Sequence, residues 1–215
     1  MNSSYKIAVI GGTGKSGSYL IQELFSNNFP IKALVRNPQK YAQFPAEVEL
    51  ILGDVSDPKA INRLLKGCTH VVSMLGLGTP PSEPTIFTQS TQHILDAMQA
   101  EGILRYIVTT GLNVDTLYDQ KGEKTKFGTE WMEQNFPIST ANKQAEYELL
   151  VNSSVDWTLI RLPIIELTDK NPPISTDLQD CIGDKISAKS LAEFVIKQLF
   201  STEFSRLAPF VFNQI

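Results

Sequence analysis

The chain has 215 residues, a formal net charge of −4 and 42% apolar residues, enough for one large domain with a substantial core. No long basic block is present, which argues against nucleic acid or an anionic membrane as a partner, and no apolar run is long enough to span a bilayer. Cys68 and Cys181 lie far apart without metal-ligand or Cys-x-x-Cys spacing, and residues 1–6 show no charged-then-apolar leader, so a cytoplasmic, reducing setting is the expectation.

Residues 5–17 organise the rest. Four apolar residues, Ile7 to Ile10, predict a strand buried on both faces, and glycines follow at once. Gly12, Gly14 and Gly17 satisfy G-x-G-x-x-G, while Gly11, Gly14 and Gly17 satisfy G-x-x-G-x-x-G, and the sequence leaves both registers open. Either one implies a tight turn, a close backbone approach to a pyrophosphate, and a helix start whose free N–H groups face the phosphates. Gly-Lys-Ser lacks the spacing of a phosphate-binding Walker lysine.

Leu20, Ile21, Leu24 and Phe25 recur at helical spacing, with Asn27-Asn28 as the stop. A second strand over 31–35 ends in Arg36-Asn37-Pro38. At this distance from the glycines an acidic residue selects NAD(H) and an arginine accommodates a 2′-phosphate, so Arg36, with Lys15 as a second cation, points to NADP(H). A third strand over 48–52 leads to Asp54, either a cofactor contact or a turn carboxylate, and to Asp57-Pro58, an N-cap with proline at the first helical position. A fourth strand over 70–75 runs into a Gly/Pro-rich loop where Gly76 allows close cofactor approach. His70, at the opposite strand end, reads as structural.

A long helix through Ile94 and Met98 stops at Gly102, and His93 on its polar face is assigned no chemistry. A fifth strand over 106–110 closes on Gly111. Residues 112–137 then read as a long excursion, charged from 119 to 126, of the kind that forms lids or substrate loops, although the charges taken alone read as a solvated surface. The next helix, over 139–151, stacks Ser139, Lys143 and Tyr147 at successive i, i+4 positions. A sixth strand ends at Pro163, with Trp157 a packing residue, and a proline- and acid-rich loop covers 166–184. Ser187 or Ser190 caps a last helix, and 209–212 adds a short strand. Strand and helix alternate throughout, which implies a parallel sheet with right-handed crossovers and helices on both faces.

Gly-Gly-Thr-Gly-Lys-Ser-Gly, Leu-Val-Arg-Asn-Pro, Gly-Asp-Val, Thr-Thr-Gly and Asp-Trp-Thr-Leu-Ile-Arg-Leu-Pro occur in this order. Together they resemble an atypical short-chain dehydrogenase/reductase, more narrowly the NAD(P)-binding NmrA-like proteins and the biliverdin reductase B/flavin reductase group. The resemblance covers nearly the whole chain. It implies an NADP-bound, Rossmann-type doubly wound sheet with a small C-terminal substrate region, the substrate loops coming mainly from 76–84, 112–138 and 163–186. It further implies that Gly11, Thr13, Gly14, Lys15 and Gly17 hold the phosphates and Arg36 the 2′-phosphate. Asp54 and Val55 then lie at the adenine, and Leu75 and Gly76 along the cofactor. Thr110 stands near the nicotinamide as a carbonyl-orienting hydroxyl, Lys143 on the nicotinamide ribose, and Pro163 and Ile164 beside the nicotinamide.

The departure from this pattern is chemical. Ordinary short-chain dehydrogenases carry Tyr-x-x-x-Lys, and the spacing before Lys143 gives Ser139, a hydroxyl too weakly acidic to replace the tyrosine at neutral pH. Tyr147 and Tyr118 are the candidate substitutes. Two readings follow: an NADPH-dependent reductase of a flavin, a quinone or another conjugated small-molecule acceptor, and a non-catalytic NADP(H)-binding redox sensor. An epimerase or dehydratase needs an acid/base pair that the residues do not supply.

Overall fold

The computed structural model describes residues 5–78 and 82–214; residues 1–4, 79–81 and 215 lie outside it, 79–81 being part of the expected 76–84 loop. Strand β1 (Ile7–Ile10) is buried along its whole length and flanked by β2 (Ile31–Val35) and β4 (His70–Ser73), both parallel to it. With β3 (Glu49–Leu52), β5 (Arg105–Gly111), β6 (Asp156–Leu162), β8 (Ile174–Asp177) and β10 (Phe210–Asn213), they form one sheet in the order β3-β2-β1-β4-β5-β6-β10-β8. The order reverses between β1 and β4, where a doubly wound sheet opens a crevice at its carboxyl edge.

Each strand serves two cores because its side chains alternate between faces. Ala8 and Ile10 of β1 join the core under α2 (Pro58–Leu65), α3 (Ile86–Glu101) and α5 (Pro137–Asn152). Ile7 and Val9 join the core under α1 (Lys15–Ser26) and α6 (Ala188–Leu199). The capping chemistry follows the local sequence. Asp57 accepts from the Lys59 N–H with Pro58 in the first turn, and Gly102 closes α3 with φ +68°, a conformation that spares it the Cβ clash of other residues. Ser187, not Ser190, caps α6, accepting from the Ser190 N–H.

Two segments differ from the sequence expectation. The excursion over 112–137 is not irregular throughout: its second half is helix α4 (Glu123–Asn135). Its buried positions are Thr125 and Thr129, so the stripe facing the protein is polar and escapes an apolar-periodicity search. The loop over 166–184 contains β8, which pairs antiparallel with β10 and makes the sheet mixed at this edge. Nearby, β7 (Ile164–Glu166) and β9 (Lys185–Ser187) form a separate parallel pair, the small C-terminal sheet region. Among the described residues no helix is long and apolar enough to cross a membrane.

Candidate functional site

A cleft of about 510 Å³ opens at the carboxyl ends of β1, β2 and β4. Gly11, at the end of β1, has φ +77°, and a Cβ there would fall 2.6 Å from the Met74 carbonyl oxygen; at Gly17 it would fall 2.1 Å from the Gly11 oxygen. Gly11 therefore makes the turn and Gly17 lets α1 seat against it, while the Gly14 N–H bonds the Gly11 carbonyl at 2.9 Å. The 11/14/17 register is thus the one with a structural basis. Helix α1 begins at Gly14 without a side-chain cap and without an acidic residue in its first turn. Its leading N–H groups and positive dipole end are without a side-chain cap, an arrangement that suits an anion, and no carboxylate is among the described residues lining the cleft.

Of the expected cofactor residues, Gly11, Thr13, Gly14, Lys15, Arg36, Val55, Leu75 and Gly76 line this cleft. Gly17 lies beneath it. Asp54 does not line it: its Oδ1 accepts from the Ser56 N–H and hydroxyl, an Asx turn, and its Oδ2 stands 3.8 Å from Arg36 Nε. Arg36 also donates to the Ser82 hydroxyl at 3.0 Å. The guanidinium is thus aimed across the cleft between two loops. Ser82 and Met74 line the same cleft without having been singled out in the sequence; both come from the β4 loop, whose path no local motif announces. The residues present suit a dinucleotide phosphate: a cradle that a single Cβ would fill, an uncapped helix start and two exposed cations.

Thr110 and Lys143 meet, although they line neither the cleft nor the cavity described below. Lys143 Nζ lies 3.4 Å from the Thr110 hydroxyl and 4.6 Å from the centre of the Phe87 ring. Desolvation lowers the Lys143 pKa, and the charge of Glu146 opposes this. Glu146, one turn on, is buried and accepts from the Thr91 hydroxyl at 2.6 Å. Burial pushes its carboxyl up to about 7, against the Thr91 bond and the Lys143 charge. The candidate substitutes for the missing tyrosine are placed elsewhere. Tyr147 packs edge-on against buried Trp157, and Tyr118 is exposed in the loop after β5. Ser139 donates its hydroxyl to the Phe136 carbonyl.

Pro163 and Ile164 line a second space, an apolar cavity of about 630 Å³ next to the end of β5. Leu112, Phe127, Trp131, Met132 and Leu162 give it large apolar faces, with α4 on one side and the turn after β6 on another. Asn113 also lines it, a residue that sequence reading passed over. Behind the cavity, buried Arg161 bonds the carbonyls of Ala208, Val114 and Leu178 and fixes the surrounding loops. His93, assigned no chemistry in the sequence, lies 3.2 Å from the Val55 carbonyl through Nδ1 and so touches the segment behind the cleft. Both cysteines are free and buried.

Known proteins share this framework. A Lactobacillus casei protein superposes with a TM-score of 0.81 at 17% identity, covering 98% of this chain and 100% of that one. A Veillonella parvula short-chain dehydrogenase/reductase in complex with NADP gives 0.78 at 16% identity, with 97% and 94% covered. By sequence, the photosystem II assembly factor Ycf39 of Trieres chinensis is 28% identical over 186 residues, 81% of this chain and 56% of that protein. The NAD(P)H azoreductase of Xenophilus azovorans is 29% identical over 107 residues, 49% and 35%. The sanguinarine reductase of Eschscholzia californica is 24% identical over 158 residues, 72% and 56%. The chain thus spans about a third to just over half the length of these three curated relatives. The fold is an α/β Rossmann-like fold shared with these solved structures. A family model described as NAD(P)H-binding matches residues 11–202, covering the cradle, Thr110, Lys143 and the apolar cavity, and the chain belongs to that family.

Proposed function

We propose that this protein is an NADPH-dependent reductase that delivers hydride to a conjugated small-molecule acceptor such as a flavin or a quinone. The observation that carries this reading is the pair of spaces at the carboxyl ends of neighbouring strands. A polar, cation-bearing cleft ends at Leu75 and Gly76 after β4, and an apolar cavity begins at Gly111 after the neighbouring β5. The phosphates belong in the first, held by the Gly11–Gly14 backbone with Lys15, and Arg36 selects the 2′-phosphate. A reduced nicotinamide, when bound, supplies the hydride. Thr110, next to Gly111 of the cavity wall, and Lys143, in contact with it, are assigned the roles of orienting the acceptor oxygen and the ribose.

The missing tyrosine costs little in this chemistry. A conjugated acceptor spreads the incoming electron pair over its own ring system, and its proton can come from solvent. The chain's contribution is orientation and exclusion of water by the apolar wall. The names azoreductase and sanguinarine reductase among the relatives support a reductase of this kind. Stopped-flow oxidation of NADPH with free flavins and quinones tests it: turnover with at least one is expected, and none with any acceptor would remove the reading.

A second reading, an NADP(H)-binding redox sensor that acts through a partner, draws support from Ser139, whose hydroxyl bonds the Phe136 carbonyl instead of facing Lys143. The assembly-factor name of one relative agrees with it. A sensor must bind NADP⁺ and NADPH unequally and couple that difference to its partner; equal affinities would dismiss it.

A further inference from the structure

Helix α4 is amphipathic in the reverse of the usual sense. Its buried positions are Thr125 and Thr129, whereas Phe127 and Trp131 are 71% and 48% exposed. Both aromatic residues line the apolar cavity, and so does Ile164 at the start of β7, 76% exposed. Exposed Ile182 adjoins them, its carbonyl accepting from Lys124 of the cavity wall. Single exposed apolar residues are ordinary, but several grouped on one cavity mark a binding surface.

Other parts of the same wall are buried. Gly111 and Leu162 are register partners at the carboxyl ends of β5 and β6, and Leu162, Thr125 and Cys181 are all shielded from solvent. The cavity therefore has a buried end at the sheet edge, next to Thr110 in the chain, and an exposed apolar mouth. Its volume of about 630 Å³ suits a drug-sized molecule and exceeds what a bare quinone ring fills. The polar groups of the wall give an ionised ligand little to bind. Lys124 and Asp184 pair with each other, the Thr125 hydroxyl donates to Asp180, and the Asn113 amide oxygen packs over Gly111. A phosphorylated flavin would set its anion against this surface at a desolvation cost, while a neutral alkyl chain gains by covering it.

We propose that the acceptor is a neutral, lipophilic molecule, a quinone-like ring bearing an alkyl chain, with the ring at the Gly111 end and the chain against Phe127, Trp131 and Ile164. A second copy of the protein or a bilayer could cover the mouth but would leave the buried end empty, whereas a ring with a chain occupies both. Calling this molecule an acceptor rests on the reductase reading; recognition of the chain is a binding property. The probes are 2-methyl-1,4-naphthoquinone and its 3-hexyl and 3-(2-carboxyethyl) derivatives, titrated by calorimetry at pH 8 into the full chain saturated with NADP⁺.

The hexyl probe should bind at least about tenfold tighter than the unsubstituted ring, which corresponds to burying about two methylenes, and the carboxylate should bind no tighter than that ring. Phe127→Gln should cut the hexyl advantage at least about threefold. Leu117→Gln, at a fully exposed leucine outside the cavity lining, should leave it unchanged. Equal affinities, tightest binding of the carboxylate, no binding of any probe, or equal effects of the two substitutions would overturn the proposal. So would dimerisation in light scattering, or binding to phosphatidylcholine vesicles, that Phe127→Gln abolishes. The three probes compared on the wild-type chain decide the matter even if that variant fails to fold. Binding of the hexyl probe without NADPH turnover of any acceptor would defeat the reductase reading and leave the chain site standing. Turnover without a preference for the chain would defeat only this proposal.

Discussion

The guanidinium of Arg161, fully buried at the end of β6, donates from Nη1 to Oδ1 of Asp119 at 2.6 Å. Burial lowers the arginine's pKa, and the neighbouring Asp119 charge restores part of it. Its flat face also lies 3.5 Å from the Phe210 ring centre, so one side chain ties β6, β10 and the loop entering α4. Removing the carboxylate leaves a buried cation half-compensated, and losses in such cases run to about 3–5 kcal/mol. Asp119→Ala should therefore lower unfolding free energy in urea by about that amount. A change below about 1 kcal/mol would show that the three carbonyls alone satisfy the arginine.

Cofactor selection should move with Arg36. If its exposed guanidinium meets the 2′-phosphate, Arg36→Ala should weaken NADPH binding by about 10- to 100-fold and leave NADH binding within about twofold. Fluorescence titration with both nucleotides measures this. Equal losses for both would assign Arg36 to its contacts with Asp54 and Ser82 instead.

Gly17→Ala should all but abolish dinucleotide binding, because the new methyl cannot coexist with the Gly11 carbonyl and must push α1 off the turn. Calorimetry with NADPH should show a loss of at least about 100-fold, or about 2.7 kcal/mol. Wild-type affinity in the variant would mean that the turn relaxes freely.

Glu146 gives the fold a pH signature. Its folded pKa of about 7 lies above the ordinary 4.5, so the folded state holds a proton that the unfolded chain releases. The associated stability is fully present below about pH 4.5 and is lost as pH rises through about 7, on the order of 3 kcal/mol in all. Glu146→Gln keeps an acceptor for Thr91 and removes the titration. The variant should be nearly neutral at pH 5 and more stable than wild type at pH 8. Chemical denaturation at the two pH values decides it, and parallel curves would refute the assignment.

Much of the fold was legible because short-range physics wrote it. β1, the glycine turn, the Asp57–Pro58 cap and the Gly102 stop each depend on a few adjacent residues, and each appears where the sequence puts it. Helix α4 was not legible, since Thr125 and Thr129 carry its inward face while Phe127 and Trp131 look into the cavity. The strand β8 lacked a signal of its own, with two of its four residues exposed. For the site, the glycine turn and Arg36 followed from motif spacing and Val55 and Leu75 from the family resemblance, whereas Met74, Ser82, Asn113, Glu146 and the Arg161–Asp119 pair did not. Their character comes from what the folded chain places around them, for Arg161 and Glu146 a partner more than 40 residues away, and no local pattern records it.

The bare start of α1 has a consequence for how the chain survives heat and proteases. Its first turn lacks both a capping side chain and an acid, so a diphosphate bound there would finish a helix that also packs on α6. ADP, with no nicotinamide to donate hydride, should then share in this protective effect. At a hundredfold excess over its dissociation constant, a ligand specific to the native state adds about 2.7 kcal/mol of protection. The protein's lifetime would thereby follow the supply of its nucleotide, independently of any acceptor being reduced.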